Sequence, residues 1–120
     1  EMRLSALIQK PRLGPSHMNA EQVLAMATRS GAEALGIPAG TLQIGSLADL
    51  VLLDPDRVHC WGGGSPASAV VYAMTPAAVQ DVWIEGERIV EGGQVRGWST
   101  EETIAGCKVA LERVRERSGR

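Results

Sequence analysis

Phenylalanine is absent from this chain, and Trp61, Tyr72, Trp83 and Trp98 are its only aromatic residues. They are spread out rather than interleaved with basic residues, so they form no stacking platform for a single nucleic-acid strand and are left for core or interface packing. Neither sign of charge dominates: 12 Lys and Arg face 14 Asp and Glu. That balance gives no electrostatic footprint for nucleic acid or an anionic membrane. Apolar runs such as Leu50 to Leu53 fall far short of the ~20 residues of a membrane span. No basic stretch followed by an apolar one opens the chain, so no secretory signal is visible and the default address is cytoplasmic. Cys60 and Cys107 stand far apart in no CxxC arrangement, which argues against a disulfide framework and a thiolate zinc knuckle.

Chemistry-bearing residues are also scarce. A metal site needs three or four ligands, and the only histidines are His17, in a proline-bounded loop, and His59, beside Cys60. Both read as loop or surface residues and Cys60 as an ordinary thiol. No Pro-Cys-x-x-Cys follows a His-x-Glu, so the cytidine-deaminase type of zinc site is excluded. Asp49, Asp54 and Asp56 could be imagined as paired carboxylates beside an apolar strand, but Asp54 before Pro55 is a turn former and Asp49 opens a strand. Gly62-Gly63-Gly64 lacks the Lys-Ser/Thr ending of a phosphate loop. Ser5, Ser16, Ser30 and Ser65 have no Gly-x-Ser-x-Gly setting. The catalytic, cofactor-binding and metal-binding sets are therefore all read as none.

What is present is a well-punctuated α/β pattern, with 44% apolar residues, enough to bury a core. Met2 to Ile8 is dense in apolar residues and reads as a helix stopped by Pro11 at or before Lys10, with a loop to His17. Asn19 followed by Gln22 predicts a capping box at the start of a helix from Ala20 to Leu35, ended by Gly36 and Pro38. Thr41 to Ile44 reads as a short strand. Ala48 to Asp54 reads as an unbroken apolar strand, buried on both faces. The stretch from Asp56 to Pro66 has loop composition, and Ala67 to Met74 reads as a short helix or strand. Val79 to Val90 reads as a hairpin turning at Glu85-Gly86. Ser99 and Glu102 predict a second capping box, opening a surface helix from Thr100 to Arg117. The chain begins at Glu1-Met2-Arg3, already inside a helical pattern and without an initiator methionine, which reads as a cut end.

Three segments in this order carry a resemblance: Met2-Arg3-Leu4-Ser5-Ala6-Leu7-Ile8-Gln9-Lys10, then Ala25 to Gly36 with its Gly31-Ala32-Glu33-Ala34-Leu35-Gly36 ending, then Gly45-Ser46-Leu47-Ala48-Asp49-Leu50-Val51-Leu52-Leu53-Asp54. They resemble the C-terminal part of the amidohydrolase superfamily, nearest to methylthioadenosine/adenosylhomocysteine deaminases, guanine-type deaminases and s-triazine chlorohydrolases. The hairpin Val82 to Val90 is similar to the closing strand pair of that family. Where relatives often have His-Asp-Pro, this chain has Gly64-Ser65-Pro66.

The resemblance implies an α/β fold made of the last helices of a (β/α)8 barrel, the C-terminal strands of a small composite β-sandwich, and a C-terminal helix. In these terms residues 1–37 are barrel helices, 38–97 sandwich, and 98–120 the terminal helix. It implies a divalent metal, zinc or iron, in the full-length enzyme, held by a His-x-His pair, two later histidines and an aspartate that all precede Met2, so this segment itself binds no cofactor. It implies hydrolytic deamination of a purine-like or related nitrogen heterocycle by the parent protein, with this segment as inactive scaffold. The implied partners are the missing N-terminal part of the same protein and further copies in a homo-oligomer, with a contact through the Thr100 to Arg117 helix, and neither nucleic acid nor membrane. The alternative from another class is a stand-alone, non-catalytic binding or oligomerisation module derived from that scaffold.

Overall fold

The structure, a computed structural model, describes residues 1–56, 60 and 64–119. Its first layer is helical. Helix α1 (Met2–Ile8) is followed at once by a short helical turn, α2 (Lys10–Leu13), where a loop is expected. Pro11 interrupts the first helix as anticipated, but it sits in the first turn of the second, where a proline needs no donor and its fixed φ favours a new helix. Lys10 Nζ closes the turn, donating to the Pro15 and His17 carbonyls at 2.6 and 3.2 Å.

The next helix starts where the sequence says. Asn19 Oδ1 accepts from the Gln22 N–H at 2.9 Å and Gln22 Oε1 accepts from the Asn19 N–H at 3.0 Å, a complete capping box. It runs as α3 (Ala20–Ala25), widens into a π turn over Met26–Ser30, and resumes as α4 (Gly31–Leu35). The wide turn is not visible in the sequence pattern. Inside it the Thr28 hydroxyl donates to the Leu24 carbonyl at 2.8 Å, a side-chain bond that competes with the backbone ladder. The C-terminal stop is a Schellman arrangement: Gly36 is left-handed, its N–H reaches the Glu33 carbonyl, and the Ile37 N–H reaches that of Ala32, both at 3.1 Å.

Ala67 to Met74 resolves to helix rather than strand, as α5 (Pro66–Ser68) running into a π turn over Ala69–Ala73. Ser65 is its N-cap, its hydroxyl accepting from the Ser68 N–H at 3.3 Å, so serine does here what the aspartate of a His-Asp-Pro would do. The core lies where α1, α3 and α5 meet, at Ala6, Ala20, Val23, Ala67 and Val71, with Met2, Met18, Leu24 and Tyr72 packed around them. Three of the five are alanines, and that is what lets three short helices approach so closely.

The second layer is one antiparallel sheet in the order β1-β2-β3-β4, from β1 (Leu50–Leu53), β2 (Val79–Ile84), β3 (Glu87–Glu91) and β4 (Gln94–Val95). The predicted hairpin is β2-β3. Its turn at Glu85-Gly86 has φ of 50° and 83°, the pair of positive values that matches strand twist. The sequence pattern did not anticipate β4. The expected strand at Thr41 to Ile44 is absent: a local turn closes there, with the Ser46 N–H donating to the Gln43 carbonyl at 3.1 Å, and Leu42 and Ile44 are exposed. Without a neighbouring strand its backbone groups have no ladder to join.

A second correction concerns β1. It is apolar as read, but not buried on both faces: Leu50, Val51 and Leu52 are exposed; separately, β2 pairs along one of its edges and no described strand along the other. The last element is α6 (Thr100–Ser118). The Ser99 hydroxyl accepts from the Glu102 N–H at 3.1 Å, and it is Glu101 rather than Glu102 whose carboxylate reaches back, accepting from that hydroxyl at 3.2 Å. No helix among the described residues is long and apolar enough to cross a membrane.

Candidate functional site

Each residue type weighed for chemistry has a definite place. His17 is exposed in the loop after α2. Cys60 is buried, its Sγ 4.0 Å from the Asp54 carbonyl, whereas Cys107 is exposed on α6. His59, Trp61, Gly62 and Gly63 lie outside the described residues. The three aspartates do not converge on a site. Asp49 Oδ1 accepts from the Glu85 N–H at 2.8 Å, tying the hairpin turn to the start of β1, and Asp54 Oδ1 accepts from the Asp56 N–H at 2.9 Å across Pro55. Both are turn devices. Ser65 donates to Glu21 Oε1 at 2.8 Å, and that bond holds the Glu21 carboxyl below its ordinary value, helped by Glu21's own N–H against a small effect of burial.

The one buried charge among the described residues is one the sequence pattern passes over. Asp81, on β2, is 5% exposed, and its Oδ1 accepts from Arg88 Nη2 at 2.8 Å and from the Gly92 N–H at 3.0 Å. Arg88 also reaches Glu91 at 2.6 Å and lies over the Trp83 ring, 5.7 Å from its centre. The Gly92 N–H chiefly, then Arg88, hold the Asp81 carboxyl below the usual carboxylate range against burial, which acts the other way. Such a group stays ionised near neutral pH with its hydrogen bonds committed, so it is a clamp on the hairpin and not a general base. The hairpin register brings them together: Arg88 pairs with Trp83 across the turn, which puts it diagonal to Asp81 on one face.

A cleft of about 750 Å³ lies between the helical layer and β1, walled by Met2, Leu24, Leu50, Val51, Leu53 and Met74. Arg3 crosses its end, Nη2 donating to the Met74 carbonyl at 3.5 Å. Its floor rests on Gly40, which packs on the Thr28 peptide so closely that a Cβ there would lie 2.6 Å from the Thr28 carbonyl oxygen. The cleft is mostly apolar, with Glu1, Arg3, Asp49, Thr28, Thr41 and Thr75 also on its lining, and the Asp49 carboxylate there is held by the Glu85 N–H. Among the described residues no three His, Cys, Asp or Glu side chains are grouped to hold a metal ion.

This geometry can be set beside known proteins. The family model described as "Amidohydrolase family" matches residues 1–89. The chain belongs to the amidohydrolase family. A 5-methylthioadenosine/S-adenosylhomocysteine deaminase of Halalkalibacterium halodurans is 35% identical over 119 residues, which is 98% of this chain and 27% of the relative. Among solved structures, an adenosine deaminase of Xanthomonas campestris with bound zinc superposes with a TM-score of 0.89 at 28% identity, over 97% of this chain and 27% of that one. The zinc complex of an atrazine chlorohydrolase of Arthrobacter aurescens gives a TM-score of 0.77 at 29% identity, over 90% and 25%. The chain thus spans about a quarter of the length of the amidohydrolases it matches. A bound zinc of the kind those two structures hold needs three or four ligands. The described residues do not supply them: His17 is alone and exposed, and Asp49, Asp54 and Asp81 are each spent on backbone or arginine hydrogen bonds.

Proposed function

We propose that this chain is the C-terminal scaffold of a hydrolytic deaminase acting on adenosine-like nucleosides, and that the metal and the reacting groups belong to the part of the polypeptide that precedes it. The observation that carries this reading is the pairing of near-complete coverage of this chain with about a quarter coverage of its deaminase relative. In this reading residues 1–37 are late helices of a (β/α)8 barrel, 38–97 complete a β-sandwich whose other strands come from upstream, and 98–120 form a terminal helix. The uncovered edge of β1 suits such a strand, since an exposed apolar edge pairs readily with another. The chain's contribution to catalysis is positional. It closes the barrel and holds the sheet against it, and no proton or nucleophile moves through its residues.

The test is to produce the polypeptide with the residues that precede Glu1 and measure ammonia release from adenosine, 5-methylthioadenosine and S-adenosylhomocysteine. Turnover of one or more of these by the longer protein, and none by the 120-residue chain, is the expected result. A longer protein that turns over none of them overturns the assignment.

A further inference from the structure

Helix α6 is fully formed and nothing described covers it. Both ends are capped, by Ser99 and by left-handed Gly119, yet none of its nineteen residues is buried, and it makes only marginal contact with any other element. Ile104, Cys107, Leu111 and Val114 follow helical spacing down one side, all exposed, and Trp98 stands 71% exposed at the entry. A helix of this length in water draws most of its stability from packing an apolar face, not from propensity.

Two observations indicate what packs there. The match to the Xanthomonas campestris deaminase omits only about four residues of this chain, so it includes most of α6, which holds its place in a protein of which this chain is 27%. The shape agrees: the radius of gyration is 18.7 Å, whereas a compact chain of this length has about 14 Å. The chain is thus more open than a compact fold of its length, and α6 is an element with no close packing partner among those described. We propose that the apolar stripe of α6 is the docking face for the upstream part of the same polypeptide. A second copy suits it less, because four side chains and one tryptophan fall short of the roughly 20–30 residues a side of a stable interface. The proposal rests on the reading above that a longer polypeptide exists, and is independent of the reaction it performs.

Cys107 sits in the stripe and Cys60 is buried, so a thiol reagent reads the stripe directly. With 5,5′-dithiobis(2-nitrobenzoate), Cys107 should react freely in the 120-residue chain and on the order of a hundredfold more slowly in the longer protein, as for a docked helix that must open to react. Leu111→Asp in the longer protein should restore fast labelling, while Glu112→Lys, off the stripe, should leave it slow. Equal rates in the two proteins would overturn the proposal. So would protection that grows with the concentration of the 120-residue chain as light scattering reports a dimer. If Leu111→Asp does not fold, the comparison of the two unmutated proteins still decides. Protection of Cys107 in a longer protein that releases no ammonia would leave this surface standing and remove the deaminase reading; release of ammonia with Cys107 unprotected would do the reverse.

Discussion

Replacing Gly40 with alanine should unfold the contact on which the floor of the cleft rests, and the structure lets its cost be split into two parts. The first is conformational: Gly40 has φ of +79°, and an L-residue held in left-handed space costs roughly 1–2 kcal/mol. The second is steric: the added Cβ would lie 2.6, 2.7 and 2.8 Å from Thr28 O, Thr28 C and Arg29 N, all backbone atoms of the π turn that cannot rotate away. Forcing atoms into such a contact costs about 1–3 kcal/mol more, giving roughly 2–5 kcal/mol in all against a typical total of about 5–15. Gly36 is the control, with φ of +68° and nothing within 4 Å of its would-be Cβ, so Gly36→Ala should carry the conformational part alone. Urea unfolding followed by circular dichroism measures both. At a slope of about 1–3 kcal/mol per molar, the steric part should lower the midpoint for Gly40→Ala by roughly 0.3–3 M beyond Gly36→Ala. Equal shifts for the two variants would refute the close approach of Gly40 to the π turn.

Three other perturbations have worked signs. Asn19→Ala removes the side-chain half of the capping box, the bond that Asn19 Oδ1 accepts from the Gln22 N–H, and leaves the Asn19 N–H to Gln22 Oε1; it should cost about 1 kcal/mol in the same urea assay. Glu85→Asn puts a residue that tolerates left-handed φ where Glu85 holds +50°; a raised thermal midpoint, from about 0.5–1 kcal/mol of added stability, is expected. Asp81 has its carboxyl lowered by the Gly92 N–H and Arg88, so its contribution is fully present above the ordinary aspartate pKa and is lost as pH falls through its lower folded value. Asp81→Asn should therefore flatten the acid side of a stability profile measured from pH 6 to pH 2, and leave a smaller slope that includes Glu21, whose carboxyl is lowered by Ser65.

Local signals were legible where one or two residues decide the structure. Asn19 with Gln22, Gly36 before Pro38, and Glu85-Gly86 each act within a few residues, and each does in the fold what its chemistry demands. What failed depends on partners distant in sequence. Thr41 to Ile44 has strand-like residues but no neighbour to pair with, and the exposure of Leu50, Val51 and Leu52 on β1 depends on which distant elements pack over the sheet, which no local pattern records. The π turns at Met26–Ser30 and Ala69–Ala73 keep the helical spacing of apolar residues, so periodicity cannot distinguish them from α-helix. The Asp81–Arg88 clamp was hidden for a related reason: alternation marks Asp81 as a solvent-facing residue, and only the register of the hairpin places an arginine beside it.

In the proposed reading, family membership is carried here by scaffold and the chemistry resides upstream. Zinc content by mass spectrometry, measured on the 120-residue chain and on the longer polypeptide after dialysis against free metal, tests it most directly. About one metal ion per longer protein and none retained by this chain is the expected result. One zinc retained per 120-residue chain, lost on His17→Ala, would contradict it.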